Sequence, residues 1–347
     1  MTGTGPSSTP APSGSTIDDV ARLAGVSPAT VSRALRDHPY VADATRAKVL
    51  EAVQQLNYVA NPHAARLASG TTRTVGLMAP LLTSWYTSEI VAGVEEVLTE
   101  AGYDLLISTT AAKDRELLFR GNTRLRQRAD GLLLVDVFCS EEGAARLAGA
   151  GLPVVVLGER LDALHSVSVD NVAGAAMAAE HLLSLGHRHI AMVEGPSHID
   201  TAHNVPSDRR AGFLRALRTH GVELSPALRV DGGFSIQGGR AAMHRLLELG
   251  LPPTAVFLMS DEMAFGALHA LREVGLRPGD DISIIGFDDH PVSDSVGLTT
   301  VRQRVRDIGR TGAHTLLAQL RTPSQPEHVP IDLELVQRTS TKAVIQS

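Results

Sequence analysis

Cysteine is almost missing from these 347 residues: Cys139 stands alone. That excludes an internal disulfide and any cysteine-built metal cluster. Aromatic residues make up only 3% of the chain, with one tryptophan, so an aromatic outside an apolar run needs a reason to be there. Lysine is rare beside arginine, 3 against 29, a bias that by itself says little about function. No apolar run approaches the roughly 20 residues that a bilayer span requires. Residues 1–15 are Thr, Gly, Pro and Ser apart from Met1 and Ala11, without a basic residue or an apolar centre. They read as a disordered tail and not as a secretory leader, and a reducing cytoplasm is the expected location. Several enzyme signatures are also missing: no Gly-x-Ser-x-Gly elbow, no Walker-type phosphate loop, and no dinucleotide fingerprint after the first strand. The stretch Gly232–Gly239 is glycine-rich but wrongly spaced for one.

The net charge of −6 argues at first against a nucleic-acid partner. It is unevenly spread. Residues 16–73 hold seven Arg/Lys and five Asp/Glu, which leaves +2 there and −8 on the remainder. The asymmetry is small, because a nucleic-acid footprint is normally a pronounced basic patch.

Local grammar is more informative than charge. Thr16 can cap a helix whose apolar face is Ile17, Val20, Ala21 and Ala24, and Gly25 can end it. Ser27 can cap a second helix with Pro28 at its first position and Val31 and Leu35 inward. A third helix over 43–56 would bury Val49, Ala52, Val53 and Leu56. Two helices joined by a tight glycine-containing turn and braced by a third make a helix-turn-helix.

The string Thr16-Ile-Asp-Asp-Val-Ala-Arg-Leu-Ala-Gly-Val-Ser27, followed by Thr30-Val-Ser-Arg-Ala-Leu35, Val41, Thr45-Arg46 and Asn57-Tyr58, closely resembles the lactose-repressor (LacI/GalR) family. The likeness continues at lower stringency to about residue 340. It implies a non-enzymatic, sequence-specific DNA-binding regulator, expected to repress carbohydrate-metabolism genes and to bind pseudo-palindromic double-stranded operator DNA as a homodimer. The short tail after Leu335, without a heptad repeat, favours a dimer over a tetramer. By position, the resemblance puts base reading on Pro28, Ala29 and Arg33, with Arg33 suited to a bidentate guanine contact. Thr16, Ser27, Thr30, Ser32 and Thr45 would hold phosphates. It also makes Asn61–Ala68 a hinge helix, with Asn61 and Ala64 in it and Leu67 as the minor-groove wedge. Ala60 stands where the family commonly has proline, and eight residues are too few for an isolated helix in water.

From Thr74 onward, short apolar runs alternate with helical stretches, beginning with Val75–Ala79 and ending with Ile282–Gly286. The expected fold is α/β: an all-α head and a two-lobed, periplasmic-binding-protein-like domain with two doubly wound parallel sheets. The expected divisions are a tail over 1–15, the head over 16–59, hinge and linker over 60–73, and the sensing domain over 74–347. Its first lobe would take about 74–169 and 304–322, and its second about 170–300 and 326–342.

Ligands of doubly wound sheets sit beyond the carboxyl ends of the strands. There the resemblance places Trp85 and Tyr86 as stacking surface, Arg209 as a hydrogen-bond donor, and Phe234 as a second stacking aromatic. Asp288 would accept bonds from ligand hydroxyls or ring nitrogens, Ser260 and Gln303 would face the ligand, and Asp261 would cap the following helix. The effector is expected to be sugar-like; a nucleobase or nucleoside is the alternative. Neither a cofactor nor a metal is expected, and His187 and His189 lack further ligands nearby. The remaining rival, a sugar-binding transport protein, would share the two lobes but not the head.

Overall fold

The computed structural model describes residues 15–35, 38–58, 71–79, 82–109, 128–136, 141–149, 151–196 and 205–344. Its contacts divide the chain into two units, residues 1–72 and 73–347.

In the first unit, α1 (Ile17–Ala24), α2 (Pro28–Leu35) and α3 (Asp43–Gln55) enclose a small core of Val20, Ala21, Val31, Ala34, Val41, Val49 and Ala52. Val53 and Leu56, expected inside, are only partly buried at its edge. The start of α1 is a reciprocal capping box: the Asp19 N–H donates to Thr16 Oγ1 at 3.3 Å, and the Thr16 N–H donates to Asp19 Oδ2 at 3.0 Å. Gly25 ends α1 at φ 67°, in the left-handed region. At the start of α2, the Thr30 N–H donates to Ser27 Oγ at 3.2 Å.

The second unit contains two six-stranded sheets. Along the chain lie β1 (Thr74–Ala79), α4 (Trp85–Ala101), β2 (Asp104–Thr109), β3 (Gly131–Val135), α5 (Glu141–Ala148), β4 (Val154–Leu157) and β5 (His165–Val169). Next come α6 (Asn171–Ser184), β6 (Ile190–Glu194), α7 (Val205–Thr219), β7 (Arg229–Asp231), α8 (Ile236–Leu247), β8 (Ala255–Leu258), α9 (Asp261–Glu273) and β9 (Ser283–Asp288). The last elements are α10 (Val292–Ser295), β10 (Thr299–Gln303), α11 (Val305–Arg321), β11 (His328–Ile331) and β12 (Leu333–Val336). The first sheet runs β11-β5-β4-β3-β1-β2 and the second β12-β10-β9-β8-β6-β7. All pairings are parallel except β10 with β12. The central strands β1, β3, β4, β6, β8 and β9 are almost wholly buried, as parallel strands covered on both faces must be.

Residues 328–331 correct the expected lobe limits. Expected in the second lobe, they pair with Ser166–Val169 of β5 and close the edge of the first sheet, and the chain re-enters the second lobe at β12. Among the described residues the chain thus passes between lobes three times, each time over one residue: Asp170, Arg304 and Asp332. Gly297, where the resembled pattern commonly has proline, adopts φ 68°, which proline's ring forbids. The departure in sequence is therefore a departure in backbone.

His187 joins the second lobe's core to its C-terminal segment: Nδ1 lies 3.0 Å from Thr254 Oγ1, and Nε2 lies 3.0 Å from both Ser283 Oγ and the Lys342 carbonyl. His187 is thereby accounted for structurally. No helix among the described residues is long and apolar enough to cross a membrane.

Candidate functional site

The head offers one outward helix face. At 100° per residue, Pro28, Ala29, Ser32 and Arg33 fall within one arc of roughly 140° on α2, opposite Val31 and Ala34. Burial follows that division: Pro28, Ala29 and Arg33 are exposed, whereas Val31 and Ala34 belong to the core. Small residues beside one long cation let a helix approach a groove closely. Thr16 and Ser27 are exposed and Thr30, Ser32 and Thr45 half-buried; Thr16, Ser27 and Thr30 also take part in the caps of their helices. Arg46, read only as part of the motif, has a structural task that the sequence did not disclose. Its guanidinium donates to the carbonyls of Ala34 (3.3 Å) and His38 (3.1 Å), bracing the end of α2 against α3. Asn61, Ala64 and Leu67 lie outside the described residues.

The second unit holds a cavity of about 290 Å³ at the carboxyl ends of its strands, between the lobes. Six of the seven expected ligand residues line it: Tyr86, Arg209, Phe234, Ser260, Asp288 and Gln303. Trp85 does not. Trp85 and Tyr86 open α4 after the Ser84 cap, and consecutive helical residues point in different directions. Trp85 instead packs against His290 of the other lobe, with ring centroids 4.8 Å apart, and Phe265 meets the same imidazole in a T-shaped arrangement at 5.2 Å. It is an interlobe contact.

Arg209 is 4% exposed and tightly held. Its Nε donates to Asn171 Oδ1 at 2.9 Å, Nη1 donates to the Met259 carbonyl, and the guanidinium lies 3.6 Å from the Phe287 ring centroid. Asp288 Oδ1 accepts from Gln303 Nε2 at 2.6 Å and lies 3.9 Å from Arg209 Nη1. Burial pushes the Asp288 carboxyl well above the usual carboxylate range, while the nearby Arg209 charge opposes the rise. Asp289 turns away to Arg302 (2.7 Å) and Arg338 (2.8 Å), so the adjacent carboxylates diverge.

Ser260 takes the capping role expected of Asp261. Ser260 is the cap of α9, accepting from the Met263 N–H at 3.3 Å, although it also borders the cavity. Asp261 is fully buried and accepts from the His290 N–H (2.9 Å), Ser293 Oγ (2.6 Å) and Thr300 Oγ1 (2.7 Å). It staples β10 to the start of α10. A serine directly before the helix can cap it without strain, which frees the aspartate for this network.

The sequence reading missed Asp136 and Asn171. Both follow strand ends, β3 and β5, so the rule that led to Asp288 could have found them. Asp136 sits at φ 46°, and burial raises its carboxyl to about 7. Gly158 permits the crowding there: a Cβ at that position would lie 2.5 Å from Asp136 Oδ1 and 2.8 Å from the Tyr86 hydroxyl. A wider cavity of about 630 Å³ opens alongside and shares Gly158, Asn171 and Val205 with the first. Among the described residues, no group of three or more His, Cys, Asp or Glu side chains is arranged to hold a metal ion.

A helix-turn-helix head and a two-lobed unit with an interlobe cavity define the class of DNA-binding regulators that carry a sensing domain. Residues 16–61 match the bacterial regulatory proteins of the lacI family, and residues 179–341 match the periplasmic binding protein-like domain. Catabolite control protein A of Priestia megaterium is 34% identical over 305 residues, covering 87% of this chain and 91% of that protein. The lac repressor dimer bound to operator and the anti-inducer ONPF superposes with a TM-score of 0.84 at 29% identity, covering 95% of this chain and all of that one. The transcriptional regulator CelR in complex with cellobiose gives a TM-score of 0.67 at 30% identity, covering 94% and 99%. The chain belongs to the lacI family of bacterial regulatory proteins. It is a transcriptional repressor of that family and not an enzyme.

Proposed function

We propose that this repressor binds a pseudo-palindromic operator as a cytoplasmic homodimer and that a small sugar-like effector sets its operator affinity. The observation that carries the effector reading is the interlobe cavity, where Asp288, Gln303, Arg209 and Asn171 converge from separate elements of one lobe on a space of about 290 Å³. Carboxylates and amides gathered there suit a ligand with several hydroxyls, since each oxygen carries two lone pairs and can still accept a hydroxyl hydrogen. The cellobiose complex of a relative supports a carbohydrate, and the operator-bound lac repressor dimer supports the assembly on DNA. For DNA, the support is the exposed arc of α2 with Arg33. The hinge role of Asn61, Ala64 and Leu67 rests on resemblance alone.

Coupling follows by linkage. An effector that binds one arrangement of the lobes better shifts the dimer population able to engage the operator, and DNA shifts effector affinity by the same factor. A thermal-shift screen of neutral sugars, nucleosides and free bases, followed by gel shifts on the chain's own upstream DNA, tests the reading. A sugar that raises the melting temperature and changes the operator shift supports it. Phe234 favours a second reading. Held at φ 51° against the cavity, it offers a face on which a planar base could stack. Stabilisation by a base or nucleoside and by no sugar would establish that alternative.

A further inference from the structure

We infer that the interlobe cavity selects an uncharged, hydroxyl-rich effector over its phosphorylated or carboxylated counterparts, with Asp136 as the residue that sets this selection. The inference rests on the sugar reading and adds to it the charge of the ligand and the side chain that senses it.

The first support is an acceptor without a donor. Asp136 Oδ1 is buried at the cavity wall and has no hydrogen-bond partner. A buried polar atom left so is costly, and such atoms are few in folded proteins. A ligand hydroxyl supplies the missing donor. A phosphate or carboxylate oxygen, ionised at neutral pH, does not, and adds repulsion instead.

The second support is the opposing charge. Among the described lining residues are three acids, Asp136, Glu262 and Asp288, and one cation, Arg209. That cation is already occupied by Asn171, the Met259 carbonyl and the Phe287 ring, with Asp288 3.9 Å away. An anionic ligand would have to compete with Asp288 for Arg209 while lying near Asp136. A neutral polyol meets acceptors on both walls: Asp136 from the first lobe and Asp288 from the second.

The third support is backbone geometry. Asp136 at φ 46° and Asp288 at φ 133° both occupy a region that side-chain-bearing residues rarely adopt. Strain of this kind persists where surrounding structure holds it, and it concentrates at ligand-binding positions. Here it aims one carboxylate from each lobe at the same space.

Isothermal titration of the full chain at pH 7.5 tests the inference with two sets of probes. The neutral set is glucose, galactose, ribose and cellobiose; the anionic set is glucose 6-phosphate, ribose 5-phosphate, glucuronate and galacturonate. At least one neutral sugar should bind, with its anionic counterpart weaker by about tenfold or more, as like charges in a confined site require. In Asp136→Asn, which keeps the shape and removes the charge, that gap should narrow to roughly threefold. An anionic sugar binding as tightly as its neutral counterpart in the unmodified protein overturns the inference, even if the variant fails to fold. An unchanged gap in a folded Asp136→Asn overturns the role of Asp136. Binding by a nucleoside or base in a parallel titration, with no sugar of either set binding, overturns the sugar reading itself. Silence across every probe removes both.

Discussion

Arg33 and Arg209 carry the same guanidinium and work in opposite surroundings. The first stands exposed on α2, over a head whose core is seven small or β-branched residues. The second is buried among an amide, a carbonyl, a carboxylate and an aromatic ring. An exposed arginine keeps its hydration until it meets DNA, so its contribution appears only in the complex. A buried arginine has lost water already, and its neighbours must compensate for it in the free protein. Removing one of those neighbours should therefore cost far more than removing a surface contact.

The largest expected effect follows from that contrast. Asp288→Ala takes away the carboxylate nearest Arg209 and the acceptor of Gln303. Truncating one partner of a buried pair typically costs about 3–5 kcal/mol of stability, and the loss of a charge-assisted bond to the ligand should lower effector affinity by about tenfold or more. Operator binding without effector should persist. Titration showing unchanged effector affinity in this variant would remove Asp288 from the site.

Arg33→Ala comes next. It should cost about 1–3 kcal/mol at the operator while leaving most non-specific affinity and all effector affinity in place. Equal weakening on operator and random DNA would make Arg33 a phosphate contact. A smaller effect is expected of Arg46→Ala, which leaves the Ala34 and His38 carbonyls without their charged donor. A loss of about 1.5–2 kcal/mol in head stability should weaken operator and random DNA alike. Circular dichroism melts of the two arginine variants separate a contact from a brace: only Arg46→Ala should lower the head's transition.

The same contrast explains what the sequence disclosed. The head was legible because its signals are local. Thr16, Gly25, Ser27 and Pro28 announce helix ends within a few residues of where they act. The central strands were legible as apolar runs. β5, β7, β10, β11 and β12 were not, because β5 (His165-Ser-Val-Ser-Val169) and β10 (Thr299–Gln303) carry polar residues although largely buried, and the other three are short edge strands. That is why β11 was assigned to the wrong lobe. In the cavity, the residues reached by motif were brought together, apart from Trp85, where adjacency in sequence was mistaken for a shared direction. Asp136 and Asn171 carry no motif. Only the convergence of strand ends that are distant in sequence makes them neighbours of Arg209.

The smallest expected effect separates the two regions by pH. Asp136 is raised to about 7, first by burial, with Arg209 pulling the other way. The Tyr86 hydroxyl and Asp288 face the same space. In the empty cavity the carboxyl is therefore partly protonated near neutrality. A ligand hydroxyl donating to it favours the ionised form, so binding lowers its pKa and expels a proton. Affinity for a neutral sugar should accordingly rise with pH through about 7 and flatten above about 8. For Asp136 alone, one proton between pH 6 and 8 bounds the gain at about tenfold, or 1.4 kcal/mol, and Asp288, also raised by burial, adds to the rise. The slope should be shallower in Asp136→Asn, and titrations in two buffers of different ionisation enthalpy should show proton release. Asp136 lies in the sensing unit and not on α2, so effector-free operator binding should lack the rise. Sugar affinity that falls from pH 6 to 8 would mean that the protonated carboxyl, acting as a donor, is the form the ligand selects.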